Sequence, residues 1–234
     1  DVIDKLPEPV LKVGEVVGNI SAEAAEIFGL SKKTVVVEGT ADCNACMFGV
    51  GGVRPNGMTL IGGTSTCLLG LSEEEFHVDG VNGTYPNCMY DGTSLLEGGQ
   101  TAAGSILTWF KNNLLPAAWM QEAVNRNMNI YDLITEKASA VPIGCDGLVM
   151  MDYFQGNRAP YADSKARGMF WGLSIGTTPA HLARAVYEGV AYGANHCIVS
   201  MKKAGYDVKE IYACGGLAPV SYTHLRAHET LSDL

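Results

Sequence analysis

The chain has 234 residues, of which 47% are hydrophobic and 18% charged, with glycine at 28 positions. This composition is typical of a turn-rich globular chain with a sizeable core, organised as one large domain or about one and a half. The net charge of -9, without clustered Lys and Arg, argues against nucleic acid as the main partner and favours a small molecule. Because no apolar run approaches the roughly 18 residues that span a bilayer and no signal-peptide pattern is visible, we expect a cytoplasmic protein without a membrane partner.

The seven cysteines are odd in number and scattered through apolar runs, a pattern that favours reduced, buried thiols over a disulfide framework. Cys43 and Cys46 have the spacing of half a zinc site or of a redox motif, but no matching second pair of Cys or His follows. We therefore interpret them as small residues on a buried helix and predict no protein-bound metal site.

The first predicted elements are a short helix and a strand. Ser21 and Gly29 bracket the helix as its N-cap and its C-terminal stop, and the β-branched run over residues 34–38 predicts a buried strand. Small residues then lead into a helix over about residues 42–48. Asp42 stands where strand gives way to helix, so its carboxylate is either a helix cap favoured by the dipole or a catalytic group.

Residues 58–61 and 66–71 predict two strands joined by a glycine and hydroxyl loop, Gly62-Gly63-Thr64-Ser65. Glycines let backbone N–H groups approach phosphate oxygens closely, and Thr64 and Ser65 supply hydroxyl donors. The loop matches neither the Walker pattern nor the dinucleotide pattern, so an ordinary tight turn remains the alternative.

The rest of the chain predicts further helices and strands. An amphipathic helix is expected over residues 101–115, a second over 130–140, a strand over 148–153 and a long polar loop over 155–168. Thr178 and Pro179 cap a helix that continues to Lys203, and a strand over 210–214 runs into Gly215-Gly216.

A long motif lies in the second half of the chain: Gly168-x-Phe170-x-Gly172-Leu173, seven further residues and then His181-Leu182-x2-Ala185-Val186-Tyr187-Glu188. This motif resembles the second signature of the FGGY carbohydrate kinases. Other elements follow in the order of the family: Asp42 after Gly-Thr-Ala, the Gly63-Thr64 loop, Gly104 before Trp109, and Cys214-Gly215-Gly216. The resemblance covers roughly residues 1 to 218.

The resemblance implies an α/β fold, an actin-like ATPase (ribonuclease H-like) domain in which a mixed sheet is flanked by helices. It implies that residues 1–33 connect to a preceding first domain and that residues 34–218 form the C-terminal nucleotide-binding domain. Residues 219–234 lack the expected pattern and resemble translated adapter sequence, so we expect them to be non-native.

The resemblance also implies roles for particular residues. Asp42 would be the general base that takes the proton from the sugar hydroxyl, with Cys43 beside it at the substrate. Nucleotide contacts are expected at Gly63, Thr64, Ser65, Gly104, Thr108, Gly215 and Gly216. His181, Tyr187 and Glu188 of the signature are expected to cap and pack the helix instead, and His77, His196, His224 and His228 to be structural or solvated.

The implied substrates are ATP with Mg²⁺ and a pentulose or related sugar or alditol. The choice of sugar follows from Glu97-Gly98-Gly99-Gln100 and Gly156-Asn157-Arg158, which are most similar to the ribulokinase-like branch. The isolated chain is expected to be inactive because most sugar-binding residues belong to the first domain, and homo-oligomerisation of the full-length protein is left open. The alternative is a nucleotide-dependent binding or scaffold protein of the actin-like fold.

Overall fold

The computed structural model of the chain describes residues 3–5, 9–77 and 81–216. The helices are α1 (Ala22–Phe28), α2 (Asp42–Val50), α3 (Gly104–Asn113), α4 (Ala117–Asn125), α5 (Ile130–Ser139) and α6 (Pro179–Lys203). The strands are β1 (Val16–Asn19), β2 (Val35–Val37), β3 (Gly57–Gly62), β4 (Thr66–Ser72), β5 (Asn82–Pro86), β6 (Ser94–Gln100), β7 (Val149–Met151), β8 (Met169–Trp171) and β9 (Glu210–Cys214).

The central sheet has five strands in the order β5-β6-β4-β3-β9. Strands β3 to β6 pair with antiparallel neighbours, whereas β9 pairs parallel to β3, with Ile61 opposite Cys214. Because parallel strands end at the same edge of a sheet, the hairpin that follows β3 and the turn that follows β9 meet there.

Helices cover both faces of this sheet. Successive residues of a strand point to opposite faces, so Leu68 packs toward Met201 of α6 while Leu69 packs toward Met47 of α2. Both leucines are fully buried. The sheet is therefore the middle layer between α6 and α2, and α2 lies on the face to which Ile61 and Cys67 also belong.

A second core joins α3, α5 and α6 beside the sheet. Its buried members include Ile106 and Phe110 of α3, Ile134 of α5 and Val186 of α6. The Tyr187 hydroxyl lies 2.8 Å from Thr135 Oγ1, which adds a buried polar link between α6 and α5. This core fixes the N-terminal ends of α3 and α5 relative to the sheet edge.

The signature residues of α6 have structural roles, as expected. Thr178 Oγ1 lies 2.7 Å from His181 Nδ1 in a capping box, and His181 Nε2 lies 3.2 Å from Asp146 Oδ2. Glu188 accepts a 2.6 Å hydrogen bond from Arg184 Nε, and both side chains are buried. The expectation of capping and packing is confirmed for His181, Tyr187 and Glu188.

The sequence located several elements well and misjudged others. The hairpin of β3 and β4, helix α6 and strand β9 lie where they were predicted. The prediction of burial for the strand over residues 34–38 is wrong: Val35 and Val37 are each 52% exposed. β-Branched residues favour extended backbone whether or not anything covers them, and β2 pairs only with β1 among the described strands.

Strand β6 was missed because its glycines suggest a turn. Gly99 has φ +143°, and a Cβ there would lie 2.1 Å from the Thr66 carbonyl oxygen of the paired strand. At Gly98 a Cβ would lie 2.7 Å from the Met201 side chain. Both glycines therefore serve close approach within and onto the sheet.

All seven cysteines are free thiols in the structure. Only Cys145 and Cys197 are buried, and the other five are partly exposed, so the expected burial holds for these two alone. His77 is exposed, and His196 Nε2 lies 3.4 Å from the Tyr161 hydroxyl. His224 and His228 lie outside the described residues.

We predict that Gly193→Ala destabilises the fold. Gln100 Nε2 donates a buried 2.6 Å hydrogen bond to Asp152 Oδ2, and a Cβ at Gly193 would lie 2.4 Å from both atoms. Overpacking together with the disturbed bond should lower the free energy of unfolding by about 2 to 4 kcal/mol, measured by chemical denaturation. The control, Gly49→Ala, places a Cβ where no atom lies within 4 Å. It should leave stability unchanged or raise it by up to about 1 kcal/mol, and equal losses in the two variants would contradict the prediction.

Candidate functional site

A cleft of about 540 Å³ opens at the sheet edge where β3 and β9 end. Its volume is within the range of small-molecule sites. The walls come from the loop after β3, the starts of α3 and α5, and the turn after β9. The lining residues are Gly63, Thr64, Gly104, Ser105, Leu107, Thr108, Asn129, Tyr131, Asp132 and Gly216.

The structure brings together most of the residues that the resemblance assigned to a nucleotide. Gly63, Thr64, Gly104, Thr108 and Gly216 line the cleft. Ser65 and Gly215 are each one residue from a lining residue but do not line the cleft themselves. Three separate stretches of sequence to which the resemblance assigned nucleotide contacts therefore converge on one concave surface.

The loop after β3 is held against the first turn of α3. Gly104 N donates to the Gly63 carbonyl at 3.0 Å, and the N–H groups of Ala103 and Ser105 donate to the Thr64 carbonyl at 3.0 and 3.1 Å. Helix α3 has no side-chain cap, so these carbonyls satisfy the donors that a helix N-terminus leaves unpaired. The contacts fix the distance between loop and helix.

The loop keeps its own donors available. Thr64 and Ser65 are exposed, and in the described part of the chain neither their N–H groups nor their hydroxyls donate to a protein acceptor. Ser105 Oγ, on the cleft wall, is buried without a hydrogen-bond partner among those residues. Unused N–H and O–H donors along a concave wall fit an oxygen-rich anion such as a phosphate chain.

The turn after β9 approaches the β3 strand end very closely. Gly215 has φ +91°, and a Cβ there would lie 2.4 Å from the Gly62 carbonyl oxygen. Only glycine satisfies both the backbone conformation and this contact. The close approach brings Gly216 to the cleft.

The start of α5 forms the wall that sequence reasoning missed. Asn129 caps the helix by accepting a 2.9 Å hydrogen bond from Tyr131 N, and the Tyr131 hydroxyl lies 3.3 Å from Thr108 Oγ1. Lys111 Nζ lies 5.2 Å from the centroid of the Tyr131 ring. The hydrogen bond with Thr108, and next Lys111, lower the pKa of Tyr131. An Asn cap followed by Asp132 indicates a helix start, but no local pattern shows that this helix lies beside α3.

Asp42 lies outside the cleft lining, at the N-terminus of α2. It is the first helical residue, Ala41 occupies the N-cap, and Asp42 Oδ1 accepts a 2.8 Å hydrogen bond from Cys43 N. Asp42 is therefore not the N-cap residue itself, although it lies in the first turn of the helix, as the helix-cap alternative requires. Its carboxylate is exposed, and the helix dipole favours its negative charge.

Neighbouring contacts locate Asp42 relative to the loop. Cys43 packs in the same cluster as Cys67 and Ile61, and these two residues are paired across β3 and β4. Ile61 is followed directly by Gly62, the last residue of β3 before the loop. The first turn of α2 therefore lies at the same sheet edge as the loop after β3.

The residues that the structure describes contain no group of three or more His, Cys, Asp or Glu side chains arranged to hold a metal ion. No helix in the same part of the chain is both long and apolar enough to cross a bilayer.

Comparison with known proteins gives consistent matches. The sequence profile described as "FGGY family of carbohydrate kinases, C-terminal domain" matches residues 58–224. The chain is similar to a ribulokinase of Staphylococcus aureus, with 33% identity over 214 residues. That alignment covers 92% of this chain and 39% of the ribulokinase, so the chain spans about two-fifths of this relative.

Solved structures match over nearly the whole chain. A xylulose kinase from Rhodospirillum rubrum is 28% identical with a TM-score of 0.76, covering 97% of this chain and 44% of that one. A Plasmodium falciparum glycerol kinase solved with ADP is 20% identical with a TM-score of 0.71, covering 93% and 41%, and shows the shared fold. Together with the mixed sheet between helices, these likenesses confirm the predicted fold class, an actin-like ATPase domain.

The thiol below the first turn of α2 generates a prediction for alkaline pH. Burial, with smaller contributions from Glu97 and Cys43, raises the pKa of Cys67 from 9.0 to about 12. Above pH 9 the unfolded thiol ionises while the folded one keeps its proton, so unfolding releases a proton and stability falls until about pH 12. The contribution is at most about 1.4 kcal/mol per pH unit, because one proton is released, and it is smaller than this limit because Cys67 is partly exposed.

Denaturation midpoints measured between about pH 8 and about pH 11 check this prediction. Cys67→Ala should reduce the slope of stability against pH, whatever its effect on absolute stability. Val124→Ala, at a position that is 73% exposed, should keep the original slope. Parallel profiles for the original chain and Cys67→Ala would show the prediction to be wrong.

Proposed function

The chain belongs to the FGGY family of carbohydrate kinases, and from this premise we propose that it supplies the nucleotide-binding part of an ATP-dependent sugar kinase. The observation that carries the proposal is the convergence, at one sheet edge, of a donor-lined cleft and the exposed carboxylate of Asp42. Phosphoryl transfer to an alcohol needs a site for the phosphates and a proton acceptor near the attacking hydroxyl.

The phosphate chain of ATP would lie against the loop after β3. The N–H and hydroxyl groups of Thr64 and Ser65 have the right chemistry to donate to phosphate oxygens, and Gly63 keeps the backbone accessible. Gly104 and Thr108 would line the path of the nucleotide along α3, with Gly216 against the nucleoside. The glycerol kinase that was solved with ADP has the same fold, which supports this assignment.

Asp42 would act as the general base. Oδ1 accepts from Cys43 N, whereas Oδ2 has no hydrogen-bond partner in the described part of the chain and can take a proton. As the sugar oxygen attacks the γ-phosphorus, the hydroxyl proton passes to Asp42 and the bond from phosphorus to the β,γ-bridging oxygen breaks, releasing ADP. Mg²⁺, bound through the phosphates, would neutralise the developing charge, and Cys43 would lie beside the sugar.

The proposed acceptor is a hydroxyl of a pentulose or a related sugar or alditol. Similarity to a ribulokinase and to a xylulose kinase supports that substrate class. The motifs that suggested this branch meet in the structure, because Arg158 and Glu97 form an ion pair that joins the loop after β7 to strand β6. Their role within this chain is to hold that loop on the sheet.

The division of the chain is also proposed. Residues 1–33 would connect from a first domain and residues 34–218 would form the nucleotide-binding domain. The chain spans 39% of the ribulokinase, and a sugar site needs groups from both walls of the cleft, so the isolated chain is expected to bind nucleotide without turning over sugar.

Residues 219–234 lie outside the described residues, so the interpretation of this tail as non-native remains a prediction. The match to the family profile extends to residue 224. Amplifying the source DNA across the codons for Ala218 and Pro219 tests it. An uninterrupted reading frame that encodes the whole tail would show the interpretation to be wrong.

We predict that Asp42→Asn in the full-length protein nearly abolishes sugar phosphorylation. Removal of a general base costs about 10² to 10⁴ in kcat, while ADP affinity should stay within about twofold because Asp42 lies outside the cleft lining. Sugar-dependent ADP release measures turnover, and calorimetry measures ADP binding. Asp91→Asn removes another exposed carboxylate, a surface partner of Lys12, and should keep normal rates. Near-normal turnover by Asp42→Asn would exclude it as the base, and ADP release independent of any sugar would favour a scaffold ATPase.

A further inference from the structure

The carboxylate of Asp132 is the one charged group on the cleft wall among the described lining residues. It lies in the first turn of α5, is exposed, and has no hydrogen-bond or ion-pair partner in the part of the chain that the structure describes. The helix dipole explains why an acidic residue is favourable in the first turn of α5. It does not explain why this acidic residue lines the cleft.

The two ends of the cleft have different chemistry. At the loop after β3 the available groups are N–H and O–H donors, which suit phosphate oxygens. At the α5 end, Asp132 presents two acceptor oxygens and a negative charge, which phosphate would avoid. The part of a nucleotide that meets Asp132 must therefore donate hydrogen bonds.

We propose that Asp132 accepts hydrogen bonds from the ribose hydroxyls of the bound nucleotide and so selects ribonucleotides. The 2′- and 3′-hydroxyls are adjacent donors that match the two oxygens of one carboxylate. This inference rests on the proposed nucleotide site and assigns it a specificity residue. An acidic side chain has the same task toward ribose in dinucleotide folds, for the same chemical reason.

The surrounding contacts fix the part of α5 from which this carboxylate extends. Its neighbour Tyr131 has its hydroxyl 3.3 Å from Thr108 Oγ1 and its ring under Lys111, which ties α5 to α3. On the other side Leu133 and Ile134 are fully buried. A recognition group on a rigid element can discriminate ligands because its backbone does not shift to accommodate the wrong one.

Calorimetry on the full-length protein with Mg²⁺ tests the proposal by comparing ADP with 2′,3′-dideoxy-ADP. The original protein should bind ADP at least about tenfold more tightly, the size expected for hydrogen bonds to a charged group. Asp132→Asn should weaken ADP binding by about tenfold and bind both nucleotides alike, with the dideoxy affinity unchanged. Asp132→Glu should keep part of the preference. Glu136→Gln, which removes an exposed carboxylate one turn later on α5, should keep all of it.

The outcomes separate this inference from the proposed function. If the original protein binds neither nucleotide, the nucleotide site itself is wrong. If it binds ADP and folded Asp132→Asn keeps the ribose preference, only the role of Asp132 is wrong. Inosine diphosphate serves as a further ligand: a changed ratio of ADP to inosine diphosphate binding with the ribose preference intact would place Asp132 at the base and overturn the proposal.

Discussion

The parallel pairing of β9 with β3 is the constraint on which the site depends. It places Cys214 opposite Ile61, so two strands that are far apart in sequence end at one edge. Gly215, which follows β9, then lies directly against the carbonyl of Gly62, the last residue of β3. An antiparallel β9 would send its turn to the opposite edge and leave the loop after β3 without a second wall.

The second constraint is that the loop after β3 caps α3. In many anion sites the N–H groups of a helix N-terminus contact the ligand directly. Here the carbonyls of Gly63 and Thr64 occupy the N–H groups of residues 103–105, so the helix fixes the loop and the loop itself offers its donors outward. The N–H donors that remain available therefore lie on the hairpin loop, where Thr64 and Ser65 are exposed, and not at the start of the helix.

Sequence reasoning succeeded where local chemistry fixes the structure. The cap and first residue of α6, Thr178 and Pro179, and the hairpin around Gly63 were read correctly because their signals are local. It failed at β6, where Gly98 and Gly99 serve contacts with partners that the sequence does not place nearby. It likewise missed Tyr131 and Asp132 as lining residues, since their position at the cleft depends on α5 packing beside α3 through a core assembled from distant segments.

The charge distribution of the cleft determines how a triphosphate could be bound. Its described lining contains no Lys or Arg, carries the Asp132 carboxylate, and belongs to a chain with a net charge of -9. Neutral N–H and O–H dipoles can orient an anion but supply little net charge to offset four negative charges. Under the proposed function, most of that compensation must come from the magnesium ion that accompanies ATP and from groups beyond the described lining. On that proposal the cleft would position the nucleotide, and the metal would make its binding electrostatically favourable.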